Sequence, residues 1–197
     1  MSSPISTELI KSLRDRTSLS IMQCKKALEE ADGDMEKAVV ILQKESKNVA
    51  NKKSDRNLGA GVVASYIHGA GSVGAIVELS CETDFVAKNE EFKALAYDLA
   101  MQVAASDPLF LKMEDITADA RRVAEEVFAE ETAGKPEELK AKILEGKLAS
   151  YFGEQTLLEQ AFIKNPDQKI KDLISGAAQK FGERTEIRRF VRFSTSS

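Results

Sequence analysis

Histidine, cysteine and tryptophan are scarce in this chain of 197 residues, which has one histidine, two cysteines and no tryptophan. Protein zinc sites are built mainly from clusters of histidine and cysteine, so a lone His68 predicts a hydrogen-bonded strand residue rather than a metal ligand. A single histidine also leaves no catalytic triad to interpret, and no carboxylate pair stands out among the 32 acidic residues. We therefore expect neither an enzyme active site nor a metal or other cofactor.

Long hydrophobic runs are also missing, since none approaches the roughly 20 residues that a membrane-spanning helix needs. The polar N-terminus lacks the pattern of a signal peptide. Cys24 and Cys81 lie at predicted core-facing positions of different elements, without the Cys-X-X-Cys spacing of a metal or redox site. We expect both cysteines to be buried and reduced, in a cytoplasmic protein that does not contact a membrane.

Positive charge is not in excess, because the formal net charge is -4. A protein that binds nucleic acid needs clustered lysine and arginine, so direct binding of nucleic acid is not expected. Segment 47–57 is polar and basic and would be the place for an RNA contact. A solvated linker is the favoured interpretation, because short basic runs are common in linkers.

Residues 1–46 have the pattern of three short helices separated by tight polar turns. Turn and capping residues precede the second helix at Thr17–Ser20 and the third at Asp32–Asp34. Apolar residues recur at helical spacing: Leu9, Ile10, Leu13, Ile21, Met22, Cys24, Leu28, Met35, Ala38, Val39, Ile41 and Leu42. We expect a compact three-helix bundle, followed by the linker 47–57 and a core domain over 58–197.

The core domain is predicted to contain a small three-stranded antiparallel sheet covered by helices, which makes the fold class α+β. Val62–His68 and Val73–Cys81 have the composition of strands, and Gly69–Ser72 provides the glycine-rich connection of a hairpin. These glycines do not indicate a nucleotide site, because the Lys-Ser/Thr pair and the following helix of a phosphate loop are absent. Thr185–Phe193 predicts the third strand. Alternation along this strand predicts two faces. One face is expected to carry Ile187, Val191 and Phe193, and the opposite face is expected to carry Arg188, Phe190 and Arg192.

Several helices are predicted between the second and third strands. The first has a core-facing stripe formed by Phe92, Leu95, Ala96, Leu99 and Val103. Breaks are expected at Ser106–Pro108 and Gly134–Pro136, and the last helix is expected to end at Gly182. Between the break at Gly134–Pro136 and the helix end at Gly182, Gly146 and Gly153 are expected to bend or end helical turns.

The segment Glu82–Asn89 lies between the second strand and the first of these helices, and it is the leading functional candidate. Junctions of this kind hold binding groups on a rigid scaffold. One interpretation is purely structural: a capping residue starts the helix, Asp84 favours its N-terminal end, and Phe85 packs on the first turn as a staple. The other interpretation is that the loop contacts a partner.

The string Glu-Thr-Asp-Phe-Val-Ala-Lys-Asn at 82–89 closely resembles the signature of the elongation factor Ts family. Members of this family are nucleotide-exchange factors for the translational GTPase elongation factor Tu. Further segments are similar to the family in the same order: Leu9–Lys11, Leu13–Arg14, Arg16–Thr17, Cys24–Glu29, Tyr66–His68 and Arg188–Phe190. The resemblance spans nearly the whole chain and favours the partner interpretation of the loop.

The resemblance implies an exchange factor that binds elongation factor Tu both with GDP and without nucleotide. It implies that Phe85 is an apolar wedge and that Asp84 orients it and redirects groups near the magnesium ion of the GTPase. Thr83 and Val86 would shape the loop. Residues 1–46 resemble a ubiquitin-associated type of module that docks on the GTPase domain. The module residues expected to contact the partner are Arg14, Thr17, Leu19, Met22 and Lys25.

The chain departs from the family pattern in two respects. Ser18–Ser20 stand where the family has small, glycine-containing residues, which restricts positive backbone angles, and Gln23 stands where it has an acid. Longer members carry a second copy of the core and a protruding coiled coil, whereas this chain has room for one core. We therefore expect a homodimer with the terminal strand as one contact. The alternative function is a binding adaptor that uses the helical bundle and does not require the loop.

Overall fold

A computed structural model describes residues 5–131 and 136–195. In chain order the elements are α1 (Thr7–Thr17), α2 (Ile21–Glu30), α3 (Met35–Lys52), β1 (Ala60–His68), β2 (Val73–Cys81), α4 (Asp84–Ala87), α5 (Glu90–Ser106), α6 (Ala118–Glu131), α7 (Glu137–Gln155), β3 (Ala161–Phe162), β4 (Asn165–Lys169), α8 (Ile170–Phe181) and β5 (Glu186–Ser194), with short 3-10 turns at Met113–Asp115 and Leu157–Glu159. Helices surround a three-stranded antiparallel sheet, so the predicted α+β class is confirmed.

The first three helices begin at capping side chains and enclose a core of their own. Ser6, Ser20 and Asp34 each accept a backbone N–H from the first turn of the helix that follows. The buried residues of this helical cluster are Leu13, Leu19, Cys24, Ala27, Leu28, Ala31, Ala38 and Leu42. The predicted three-helix bundle is therefore present.

The third helix is longer than predicted, because α3 continues to Lys52 through the first part of the expected linker. The additional turns pack along α8. Lys47 forms an ion pair of 3.0 Å with Asp172, and the hydroxyl of Ser46 donates to the side chain of Gln179. These contacts keep the segment helical although its sequence has little apolar periodicity of its own.

The three-stranded sheet has the order β1–β2–β5, and neighbouring strands are antiparallel. β1 and β2 form the predicted hairpin, in which His68 and Val73 are the last pair before the turn. Gly69 and Gly71 in this turn have φ of 55° and 92°, values that glycine adopts without strain. The helix-facing side of the sheet is covered by α5, which packs on β1 and β2.

The two sides of β5 differ from the prediction. The pairing with β2 skips Arg188, which is an extra residue in the strand and reverses the alternation beyond it. Ile187 and Phe190 therefore both pack on the main core, whereas Val191 and Phe193 are exposed. The predicted grouping of Ile187 with Val191 and Phe193 was wrong because strict alternation does not anticipate a bulge.

The main core lies between the sheet and the helices α5 and α8. Its buried residues include four of the five residues in the predicted stripe of α5 and the inner side of β2: Ala75, Val77, Leu79, Cys81, Val86, Phe92, Ala96, Leu99, Val103, Leu157, Ile170, Ile174 and Ile187. Leu95, the fifth residue of the stripe, is partly buried against this core. α5 ends at Ser106, and Gly182 closes α8 in a left-handed conformation with φ of 71°. Both predicted helix ends are confirmed.

Helices α6 and α7 pack on one another around a smaller cluster, formed by Ala124, Leu148 and Phe152. α7 passes through Gly146 and Gly153, which were expected to bend or end it. A Cβ atom at either glycine would have no neighbour within 4 Å, so both occupy open positions of a continuous helix. The break predicted at Gly134–Pro136 lies almost wholly outside the described residues.

A second sheet, formed by β3 and β4, was not predicted. Its strands have only two and five residues, which is too short for a recognisable alternation. In the described part of the chain, no helix combines the length and the apolar character needed to cross a membrane.

Candidate functional site

The candidate loop begins where β2 leaves the sheet. The ladder between β2 and β5 ends at the pair of Ser80 and Glu186, and the chain then forms the single turn of α4, which was not predicted. Asn89 follows and caps α5, its side-chain oxygen accepting the N–H of Glu91 at 2.8 Å. The loop is therefore held between the central strand of the sheet and a helix that packs on that strand.

Phe85 and Val86 are neighbours with opposite surroundings. Val86 is 4% exposed and belongs to the main core, so it fastens α4 to the body of the protein. Phe85 is 83% exposed and does not pack on the first turn as a staple would. Leaving a phenylalanine in solvent forgoes about 2 kcal/mol of burial free energy. The ring is thus available for burial by a partner.

Asp84 lies beside Phe85 at the start of α4. Its carboxylate pairs with the ammonium of Lys88 at 3.5 Å, and both side chains are exposed. An exposed ion pair of this kind contributes little stability, so Asp84 can turn to a partner at small cost. The loop therefore presents an aromatic ring and a carboxylate side by side.

Thr83 occupies the N-cap position of α4, but its hydroxyl does not cap the helix. The hydroxyl donates instead to Oε1 of Glu183 at 2.6 Å. The other oxygen of this carboxylate, Oε2, accepts the backbone N–H groups of Glu82 and Thr83, both at 3.0 Å. One carboxylate from the turn between α8 and β5 thus serves three donors of the loop.

A second carboxylate, that of Glu82, connects the loop to the turn before β5 in the opposite direction, with the acceptor on the loop. Oε1 of Glu82 accepts the backbone N–H of Arg184 at 2.6 Å and lies 3.3 Å from the guanidinium of Arg56. The hydrogen bond from Arg184, and after it the contact with Arg56, holds the pKa of Glu82 below its usual range. The Arg184 guanidinium also donates to the carbonyl of Arg56 at 2.6 Å. The loop, the turn before β5 and the segment after α3 therefore form one network.

Both cysteines are buried free thiols, one in each major cluster, as expected. Cys81 lies directly before the loop, and its Sγ donates to the carbonyl of Thr83 at 3.3 Å. Burial raises the pKa of both thiols, and at Cys81 the nearby Glu183 carboxylate adds to this effect. Thiols with a raised pKa are poorly reactive, which indicates a packing role. Among the described residues, no group of three or more His, Cys, Asp or Glu side chains could hold a metal ion.

The module residues predicted to contact a partner fall into two groups. Arg14, Met22 and Lys25 are exposed on α1 and α2, with Met22 at 74%. Leu19 is 4% exposed and packs inside the helical cluster, so its side chain offers little surface for direct contact with a partner. Thr17 is half-buried and donates to a backbone carbonyl of α1 at 2.8 Å. Leu19 and Thr17 therefore shape the module from within.

The turn between α1 and α2 accommodates the departures from the family pattern. Ser18 has φ of 58°, in the left-handed region that glycine favours, so the positive angle is kept without glycine. Ser20 and Gln23 form a reciprocal capping box. The N–H of Gln23 donates to Oγ of Ser20 at 3.3 Å, and the N–H of Ser20 donates to Oε1 of Gln23 at 3.0 Å. Glutamine thus fills the capping role that an acid would have.

Comparison with known proteins agrees with the loop motif. The family model described as Elongation factor TS matches residues 9–197. The chain belongs to the elongation factor Ts family. The elongation factor Ts of Carboxydothermus hydrogenoformans is 48% identical over 191 residues, which cover 96% of this chain and 88% of the relative. Those of Thermodesulfovibrio yellowstonii and Thermotoga maritima are 47% and 46% identical, over 96% of this chain and 95% of each relative. The chain is therefore a translation elongation factor.

The residues that hold the loop in this member of the elongation factor Ts family were not predicted from its sequence. Glu183 lies 100 positions after Thr83, and Arg184 lies 102 positions after Glu82. A charged pair after a helix-ending glycine is typical of an ordinary surface turn. No local pattern distinguishes these two side chains from the other charged residues of the chain.

Proposed function

We propose that this chain is a cytoplasmic guanine nucleotide exchange factor that binds elongation factor Tu in its GDP-bound and nucleotide-free forms. The observation that carries the proposal is the outward Phe85 on a turn whose next residue, Val86, is locked in the core. Partly preorganised aromatic side chains of this kind supply much of the binding free energy at protein interfaces. The family signature at 82–89 points to the same loop.

Phe85 acts in this proposal as a wedge beside the bound nucleotide. Burying its ring in the GTPase supplies about 2 kcal/mol, which is available to displace neighbouring elements. Asp84 brings a negative charge that redirects groups near the magnesium ion. Mg²⁺ requires near-ideal octahedral geometry and bridges phosphate oxygens, so a small shift of its protein ligands or of the phosphate loop weakens GDP binding.

The N-terminal module provides docking in the same proposal. Arg14 and Lys25 are exposed cations that would attract an acidic surface, and Met22 is an exposed, adaptable apolar contact. Thr17 and Leu19 act indirectly, by fixing the turn that presents Met22. Affinity then comes mainly from the module, and displacement of the nucleotide comes from the loop.

No covalent step is involved, and the protein is therefore not an enzyme in the chemical sense. By linkage, a factor that weakens the binding of GDP must itself be bound more weakly when GDP is present, by the same ratio. Rebinding of nucleotide thus releases the factor, which can act on another GTPase molecule.

We also propose that two copies of the chain associate through the outer face of the sheet. The opposite face is covered by α5. The outer face has exposed apolar side chains from all three strands, namely Val63, Ile67, Ile76, Val191 and Phe193. At its end, Glu78 and Arg189 form an ion pair of 2.7 Å that gives the patch a polar border. A twofold contact would bury this self-complementary apolar surface.

Release of a fluorescent GDP from purified elongation factor Tu tests the exchange proposal. At fixed free magnesium, the wild-type chain is expected to accelerate release. Phe85→Ala should reduce this acceleration by about tenfold or more, as expected for loss of a central interface residue. Leu109→Ala is the control, because Leu109 is also apolar and 64% exposed but lies in the segment after α5.

Two results would count against this proposal. Wild-type protein that binds the GTPase without accelerating release would favour the adaptor function. Full acceleration by a folded Phe85→Ala variant would show that the ring is not the wedge.

A further inference from the structure

The direction of α4 is not fixed by Val86 alone. Val86 and the partly buried Ala87 pack one side of α4 on the main core. The orientation of so short a helix, and with it the direction of Phe85, also depends on the backbone that leads into it. The backbone just before α4 also lies beyond the last β2–β5 pair, Ser80 and Glu186. Its N–H groups need acceptors other than the strand ladder.

Glu183 supplies these acceptors with a single carboxylate. Its Oε2 receives the N–H groups of Glu82 and Thr83, and its Oε1 receives the hydroxyl of Thr83. The carboxylate therefore extends the connection between the two chain segments beyond the end of the ladder. Three donors on consecutive residues define an orientation, which one contact could not do.

We propose that Glu183 is a positioning residue for nucleotide exchange and that it aims Phe85 through Thr83. This inference rests on the proposed function of Phe85 as a wedge. Glu183 is itself held on a fixed turn, because Gly182 has φ of 71° and its carbonyl accepts the ammonium of Lys53 at 2.6 Å. The turn thus brings a rigidly placed carboxylate to the base of the loop.

The reciprocal contact of Glu82 makes the proposal testable without unfolding the protein. Glu82 accepts the N–H of Arg184, so the two segments stay connected when the carboxylate of Glu183 is removed. Loss of Glu183 should therefore change the direction of the loop rather than detach it.

Kinetics of GDP release at varied factor concentration provide the first test. Glu183→Ala should lower the maximal rate about tenfold, since misplacing a reacting or displacing group by about 1 Å is costly. The half-saturating concentration should change by no more than about twofold, because docking is assigned to the N-terminal module. Glu183→Gln should restore most of the rate, because its amide oxygen can accept both N–H groups and its amino group can donate to the Thr83 hydroxyl.

Glu186→Ala is the matched control. Glu186 is a neighbouring glutamate that pairs with the Arg184 guanidinium at 2.9 Å, and its variant should exchange nucleotide at the wild-type rate. If Glu186→Ala lowered the maximal rate of GDP release as much as Glu183→Ala does, the specific role of Glu183 would be overturned.

A double variant separates action through Phe85 from action elsewhere. In the Phe85→Ala background, Glu183→Ala should cause no further loss of maximal rate. A further loss of similar size in this background would overturn the proposal, because Glu183 would then act independently of the ring.

Amide hydrogen exchange provides a readout that does not need elongation factor Tu. Glu183→Ala should speed exchange at the amides of Glu82 and Thr83 by about tenfold or more, with the amides of β2 unchanged. The positioning role would be overturned if the hydrogen-exchange rates of these two amides were unchanged, or if exchange became faster throughout the sheet. Failure of the wild-type chain to accelerate GDP release would instead overturn the proposed function and with it the role of Glu183 in exchange.

Discussion

Phe85 and Val86 are adjacent residues with different proposed roles, Phe85 in binding a partner and Val86 in stability. Val86 is buried in the main core, so its truncation would cost packing free energy, whereas the exposed Phe85 can be removed without creating a cavity. In the N-terminal module, Leu19 is likewise buried, and the exposed Met22 is the residue proposed to bind a partner. Substitution of the exposed member of each pair therefore probes function in a protein that remains folded.

The Glu82 carboxylate is expected to make the free energy of unfolding depend on pH. Its pKa is lowered in the folded chain, so its contribution is complete above the unfolded pKa and is lost as the pH falls through the folded pKa. Glu82→Gln should therefore be less stable than wild type by a constant amount above about pH 5.5, and the difference should shrink below about pH 4.5. Urea unfolding of both proteins across this range measures it.

Glu114→Gln is the control for this measurement, because Glu114 is an exposed carboxyl on the 3-10 turn Met113–Asp115. It should leave stability close to wild type at each pH. A deficit of Glu82→Gln that stays the same down to about pH 3 would disprove the role of the ionised carboxylate.

At the scale of elements, the bulge in β5 decides which apolar side chains reach the outer face of the sheet. If Arg188 took part in a strictly alternating strand, with no bulge, Phe190 and Arg192 would lie on that face in place of Val191 and Phe193. The bulge therefore creates part of the apolar patch proposed as the dimer contact. In α7, by contrast, packing of neighbouring residues keeps the helix continuous through two glycines.

Gly146→Ala is expected to stabilise the protein by about 0.5 to 1 kcal/mol, because alanine loses less backbone entropy than glycine in a helix interior. The added methyl group would meet no atom within 4 Å. Chemical unfolding of the purified variant measures the change.

Gly182→Ala is the contrasting variant, since Gly182 has φ of 71° and alanine there should cost about 1 kcal/mol. A loss of stability in Gly146→Ala would show that residue 146 is not in a regular helical conformation.

At the scale of the whole molecule, α3 connects the helical cluster to the main core. Its C-terminal turns pack on α8 and carry Lys47, which pairs with Asp172. Lys53 then reaches the carbonyl of Gly182, next to the residue proposed to aim the loop. The N-terminal module and the loop at 82–89 are therefore linked through one continuous set of contacts.

Ile76→Lys is expected to dissociate the proposed dimer, because Ile76 lies on the outer face of the central strand and a buried ammonium there would be unpaired. Sedimentation velocity at micromolar concentration measures the assembly state. Val40→Lys, which changes an exposed valine of α3, should leave the assembly unchanged. A wild-type chain that is monomeric and fully active in GDP release would contradict the dimer proposal.

The helices of the N-terminal module, the β1–β2 hairpin, the stripe of α5 and the end of α8 at Gly182 were all predictable from local sequence. These features depend on caps, turns and periodicity within a few residues. The motif at 82–89 likewise indicated the loop and its family. The bulge at Arg188, the burial of Leu19 and the contact of Glu183 with Thr83 depend instead on packing between distant parts of the chain. The last of these joins residues 100 positions apart, and such a contact exists only when the whole core brings two distant turns together.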